Sequence, residues 1–131
     1  MPQTRLVAKL KATAAVTALV STRIYPMLRP QGTALPAIVY GVTSNTPTNT
    51  AGGSSTTREM RITIDCLAGT YAGAWALANA VRDTLSGWVD SSGDVWHLDS
   101  ENDGPGDLGP GQEEYVGYSV SQDYLVWFDE T

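Results

Sequence analysis

The sequence predicts an α+β domain: a four-stranded, mostly antiparallel sheet with two helices packed on one of its faces, in the order α-β-β-α-β-β. Two segments, near 4–20 and 70–87, place apolar residues at helical spacing. Segments 37–44, 57–68 and 115–128 are rich in β-branched and aromatic residues, and the last two alternate apolar with polar. At 131 residues there is one domain's worth of chain, with no linker that separates two cores.

The first helix is predicted from about Thr4 to Val20, with Thr4 as its cap and Leu6, Leu10, Ala14 and Thr17 or Ala18 on its apolar face. Its bases Arg5, Lys9 and Lys11, followed by apolar residues, imitate a secretion signal; the apolar stretch is interrupted by Thr13 and Thr17, and a helix of the domain is the better reading. Between 21 and 36, Pro26, Pro30, Gly32 and Pro36 forbid a regular helix or a central strand. AIVYGVTS (37–44) is the first strand. NTPTNTAGGSST (45–56) has no large apolar side chain to bury, which predicts a mobile hairpin loop.

In the second strand, 57–68, Met60, Ile62, Ile64 and Cys66 share one face and Arg61, Thr63 and Asp65 the other. The second helix, 70–87, has Thr70 as cap and Gly87 as stop, with Tyr71, Trp75, Ala78, Val81 or Arg82 and Leu85 facing the sheet. A turn at 90–94 leads to a short strand, 95–100. An acidic Gly/Pro loop over 101–114 precedes the closing strand, 115–128, expected to be the longest and most central; Tyr118, Val120, Gln122, Tyr124, Val126 and Phe128 form one of its faces.

Composition excludes much chemistry. One cysteine, Cys66, rules out an internal disulfide framework or a multi-cysteine zinc site, and one histidine, His97, rules out histidine-rich metal centres within one subunit. No apolar run is long enough to span a bilayer, so no membrane partner is expected. The net charge of −6 argues against a general nucleic-acid coat. That charge is uneven along the chain: residues 1–65 carry seven bases against two acids, and residues 66–131 carry Arg82 alone against twelve acids. If the split persists in space, one side of the molecule complements another; otherwise it is a solubilising acidic surface.

No constellation for catalysis emerges, and no enzyme activity or cofactor is predicted. Cys66 lies on the core face of its strand, where a thiol is a small hydrophobe rather than a nucleophile, and His97 sits in a short strand as a structural or exposed residue. In DSENDG (99–104), Asp99, Glu101, Asp103 and Gly104 match positions 1, 3, 5 and 6 of a calcium loop, but Pro110 stands where the closing glutamate belongs. A solvated acidic loop is the favoured reading, with a calcium-regulated module as the competing class. The crowded carboxylates of 90–114 invite a glycosidase-like acid pair, but nothing separates two of them in acidity.

Long polar loops without a catalytic set suggest an assembly component whose loops order against neighbours. The candidate interface residues are Arg23, Tyr25, Thr46, Thr48, Asn49, Ser54, Asp99, Glu101, Asp103 and Asp107. For Arg23 and Tyr25 the favoured role is bracing, because Arg23 stands between helical residues and a proline-locked turn.

LVSTRIYPMLRPQGTALPAIVY (19–40) resembles the opening of tailed-phage tail completion proteins, also called tail terminator or tail-to-head joining proteins. The elements that carry the resemblance are Leu19-Val20, Arg23 to Pro26, Pro30-Gln31-Gly32 and Leu35 to Tyr40. RITIDCLAGTYAGAWALANAVRDTL (61–85) and the closing Val126-Trp127-Phe128 extend the resemblance over nearly the whole chain. The resemblance implies a small sheet flanked by helices and a virion protein that forms a ring, usually of six subunits, on the last ring of the tail tube. Its partners would be further copies of itself, the tube protein and the head connector, and DNA would pass through the lumen without sequence-specific binding. It implies assembly in the host cytoplasm and brings no catalytic residue. A head-closure or stopper protein, or the same ring in a gene transfer agent or phage-like particle, is the nearest alternative.

Overall fold

The computed structural model describes residues 2–27, 35–50, 53–107 and 116–129, with the backbone alone for 48–50, 53–57, 106, 107, 116 and 129. Among the described residues there are three helices and a five-stranded mixed sheet, one helix and one strand more than the sequence predicts. The helices are α1 (Pro2–Ala12), α2 (Ala14–Val20) and α3 (Tyr71–Leu85). The strands are β1 (Ile24–Pro26), β2 (Ala37–Thr50), β3 (Gly53–Ala68), β4 (Trp96–Asp107) and β5 (Val116–Asp129), ordered β1-β2-β3-β5-β4 across the sheet.

The expected first helix is broken at Thr13, whose backbone is extended and whose hydroxyl donates to the Lys9 carbonyl at 2.7 Å. A threonine hydroxyl offers the backbone a partner that competes with helix continuation. The break also corrects the phase of the apolar face. Leu6, Leu10, Val16 and Val20 are fully buried. The step from Leu10 to Val16 is about one and two-thirds turns, so an unbroken helix would aim Val16 away from the core. The predicted face through Ala14 and Ala18 is therefore wrong: both are exposed.

β1, absent from the prediction, is a three-residue edge strand parallel to β2. Its Pro26 is tolerated because an edge position needs no donor on its open side. The predicted loop at 45–56 is instead strand: β2 and β3 stay paired out to Asn49↔Ser54 and Thr50↔Gly53. Its threonines favour extended backbone, and two strands satisfy each other's polar groups without a core. β4 likewise runs on through Asp107, paired with β5, where a loop from 101 was expected. Residues 108–114 of that predicted loop, and 51–52 of the first, lie outside the described residues. The longest and most central strand is β3, not the closing one, because Gly53–Thr57 belong to it and β5 and β2 flank it.

Met60, Ile62, Ile64 and Cys66 of β3, with Val120, Gln122, Tyr124 and Val126 of β5, are buried beneath the helices as their alternation predicts. Thr70 caps α3, accepting from the Gly73 amide at 3.0 Å. The helix presents Ala74, Leu77, Ala78, Val81 and Leu85 to the core, while Tyr71, expected on that face, is 52% exposed. Tyr71 opens the helix, so its side chain reaches past the end of the sheet rather than onto it. Gln122 is the polar exception in the core, and it is satisfied: its amide donates to the Ala78 carbonyl at 2.8 Å and to Glu101 at 2.9 Å, and it accepts from the Tyr124 hydroxyl at 2.7 Å.

Candidate assembly surfaces

The charge split of the sequence is partly spent inside the subunit, through Arg5 and Arg61. Arg5 on α1 donates to Asp90 at 2.7 Å and to Asp94 at 2.8 Å, and Trp96 adds an indole donor to Asp90 at 3.1 Å. Arg61 on β3 reaches Asp99 at 2.7 Å and Asp123 at 3.4 Å. Each of these pairs joins a base of the first half to an acid of the second. Folding therefore brings the two halves together at these points, and part of the sequence-level charge split is neutralised within the subunit.

The surfaces that remain fall in three places. The first is the β2–β3 hairpin. Thr46 is exposed opposite Glu59, Thr48 falls in the register shift between Pro47 and Asn49, and Asn49 pairs with Ser54. The side chains of Thr48, Asn49 and Ser54 lie outside the described residues. Among the described residues β5 accompanies β3 as far as Thr57↔Asp129, and β2 and β3 continue past that point as a two-stranded hairpin. From Gly41 onward the outer edge of β2 carries no strand among the described residues, since β1 reaches only Tyr40.

The second is the helix-free face of the sheet. Thr63 donates to Asp123 at 2.7 Å, Ser100 to Asp123 at 3.3 Å, and Ser121 to Asp65 at 2.6 Å. Burial and the neighbouring Asp123 charge push the Asp65 carboxyl up, against the Ser121 hydrogen bond. The hydrogen bond to Asp99 holds the Arg61 guanidinium above its ordinary value. The polar groups of this face are thus bonded to one another.

The third is the acidic strand β4. A register shift between Leu98 and Ser100 divides the residues that resembled a calcium loop. Before the shift, Asp99 turns to Arg61 on the open face. After it, Glu101 turns to the helix face, where it takes Arg82 at 2.9 Å and Gln122, and Asp103 takes the Tyr71 hydroxyl and the Trp75 indole. An extra residue in one strand re-aims the side chains that follow it. The carboxylates are thus separated and individually bonded, and among the described residues no three His, Cys, Asp or Glu groups converge to hold a metal ion. Asp107 closes β4 opposite Val116, its side chain outside the described residues.

Arg23 lies between α2 and β1, where its guanidinium donates to the Pro36 carbonyl at 2.8 Å and the Leu19 carbonyl at 3.3 Å. It ties the end of α2 to the start of β2. Tyr25 pairs with Val39 across β1 and β2 and is half-buried. Cys66 is fully buried, and burial drives its thiol far up, so it is held as the neutral thiol. His97 is exposed on β4, its ring edge-on to Trp127 with centroids 5.6 Å apart.

Sequence reasoning passed over the exposed apolar groups: Met27, Tyr71, Val89, Tyr118 and Trp127. Tyr71 and Tyr118 meet edge to face, 5.9 Å between centroids, over an open groove of about 580 Å³. Alternation placed Tyr118 on one strand face with Val120, Gln122, Tyr124 and Val126, which are buried, while Tyr118 itself is exposed. Among the described residues no helix is long and apolar enough to cross a membrane.

A small α+β domain whose polar groups are committed to one another, and whose exposed features are a two-stranded hairpin, an open strand edge and an aromatic groove, is built for contact with other proteins. The chain belongs to the Tail completion protein gp17 family, which matches residues 4–103, and is thus a structural virion protein of the tail-completion class. Its fold is shared with a chain in the virion of native gene transfer agent (GTA) particle, at TM-score 0.70 and 19% identity, over 97% of this chain and 93% of that one. No curated protein sequence matches the chain.

Proposed function

We propose that the protein forms a closed ring, of six copies, at the head-proximal end of a phage tail tube, where it ends tube growth and offers the docking surface for the head connector. The family match over residues 4–103 carries this reading. Subunits related by a closed rotation need two different patches that meet. The β2–β3 hairpin and the open edges of the sheet supply non-identical patches of that kind. In this reading the hairpin contacts a neighbouring subunit or ring, through Thr46, Thr48, Asn49 and Ser54, and the acids of β4 form part of a second contact. Arg23 and Tyr25 act indirectly, by holding the α2–β2 corner on which β1 sits. DNA passes through the lumen unheld, since surplus carboxylates repel phosphate. The fold shared with a gene transfer agent virion chain favours a second setting, the same ring in a phage-like particle rather than an infectious phage.

Labelling tests the position directly. Purified particles carrying an epitope-tagged copy of the chain, imaged by electron microscopy with a gold-conjugated antibody, should show label at the junction of head and tail. Label at the distal tail tip, or along the tube, would contradict the proposal.

A further inference from the structure

We infer that the groove between Tyr71 and Tyr118 receives an arginine or lysine side chain from an adjoining protein. Among the described residues it is lined by Gly69, Tyr71, Asp103, Gly104, Pro105, Gly117 and Tyr118, of which Asp103 alone is a carboxylate. The two rings stand at 84° to each other, which offers a visiting group one ring's face beside the other's edge. The face of a tyrosine ring attracts a cation through its quadrupole. Both hydrogen bonds that Asp103 accepts, from Tyr71 and from Trp75, fall on Oδ2. Oδ1 accepts none among the described residues, which leaves an acceptor for a charged N–H donor.

The floor is kept low by glycine. At Gly117, with φ +74°, an added Cβ would stand 2.3 Å from the Ala68 carbonyl oxygen, so no larger residue fits without moving the backbone. The N-terminus of α3 opens beside the groove, but its partial charge of about +0.5 is outweighed by the full negative charge of Asp103. An anionic side chain is therefore repelled and an aliphatic one leaves the carboxylate unpaired. Pre-bonding by Tyr71 and Trp75 fixes the carboxylate in advance, which lowers the ordering cost of a contact.

That the cation belongs to another protein of the particle rests on the proposed tail function; that the groove takes a cation does not, and the isolated chain tests it. Acetyl-Gly-Arg-Gly-amide and acetyl-Gly-Glu-Gly-amide are titrated into the protein at low salt, with the tyrosine ring signals followed by NMR. The arginine peptide should shift the Tyr71 and Tyr118 rings saturably, and the glutamate peptide should leave them in place. Asp103→Asn keeps an acceptor for Tyr71 and Trp75 but removes the charge, and should weaken binding about three- to fivefold. Tyr118→Phe should bind as the parent does, and Tyr118→Ala should lose affinity by a similar factor. Equal shifts with both peptides, unchanged affinity in Asp103→Asn, or arginine-induced shifts located elsewhere would overturn the assignment, whatever the role of the protein in the tail.

Discussion

Asp90 shows how much one residue carries. Its side chain is fully buried, yet it receives Arg5, the Trp96 indole and the amides of Ser92 and Asp94. Burial alone would raise its pKa; the hydrogen bonds from Trp96, Arg5 and the two amides more than offset this and hold it below the usual carboxylate range. A carboxyl with a depressed folded pKa stabilises the native state above its unfolded value, about 3.9, and that stabilisation is lost as pH falls through the folded pKa. Asp90→Asn should therefore lower stability at neutral pH, by roughly 2 kcal/mol, because Arg5 and the Trp96 indole lose a charged acceptor while Arg5 keeps Asp94. The gap from the parent should close in acid, as denaturant melts at several pH values will reveal; a constant gap from neutral pH to pH 3 would refute the linkage. Asp65 has the opposite sign. Its raised pKa means that ionisation costs native stability above the folded value, so Asp65→Asn, which preserves an acceptor for Ser121, should be neutral or stabilising at pH 7. Cys66 was legible in the sequence as a core residue because it shares its strand face with Ile62 and Ile64; native protein should resist thiol-labelling reagents until it unfolds. The Arg5–Asp90 pair was not legible, since nothing in the local pattern brings residue 5 to residue 90.

At the scale of elements, what could be read depended on whether an element buries a face. The alternation of β3 over Met60–Cys66 and of β5 over Val120–Val126 specified both strands and their orientation, because one side meets the core. Residues 43–47 of β2 and 102–105 of β4 are not buried, so their sequence carries no alternation, and Thr, Ser, Gly and Asp there read as loop. What makes them strand is the partner chain alongside, a tertiary fact. α3 was placed correctly by its Thr70 cap, while the helix ahead of it was read as one piece because a threonine break leaves no proline or glycine behind. The outer hairpin should be dispensable for folding and needed for assembly. Replacing residues 45–56 with a two-residue turn should change the melting temperature little, since that segment has no large apolar side chain, yet reduce the yield of joined particles in complementation. A large loss of thermal stability, or normal particle yield, would show that the segment has been misjudged.

As a whole molecule, the chain is a sheet with helices on one face and a hydrogen-bonded polar surface on the other, open at its strand edges. Its +5 and −11 halves suggested a dipole for ring closure, yet the Arg5 and Arg61 pairs spend part of that asymmetry within one subunit. Contacts in the proposed ring then rest on shape, strand edges and local sites such as the tyrosine groove more than on a long-range field. Raised salt should consequently weaken assembly only modestly, which sedimentation of the assembled ring across ionic strengths would measure; collapse of the ring at moderate salt would restore the dipole account. The family match shows a structural virion protein of the tail-completion class, and the resemblance was already present in Arg23 to Pro26 followed by Leu35 to Tyr40. The proposed place at the end of the tail tube is tested most directly by deleting the gene from the particle that encodes it and examining lysates by negative-stain electron microscopy. DNA-filled heads beside unattached tails of abnormal length are the predicted result. Tails of normal length that fail to join heads would contradict tube termination and leave joining alone, and intact particles would contradict the whole account.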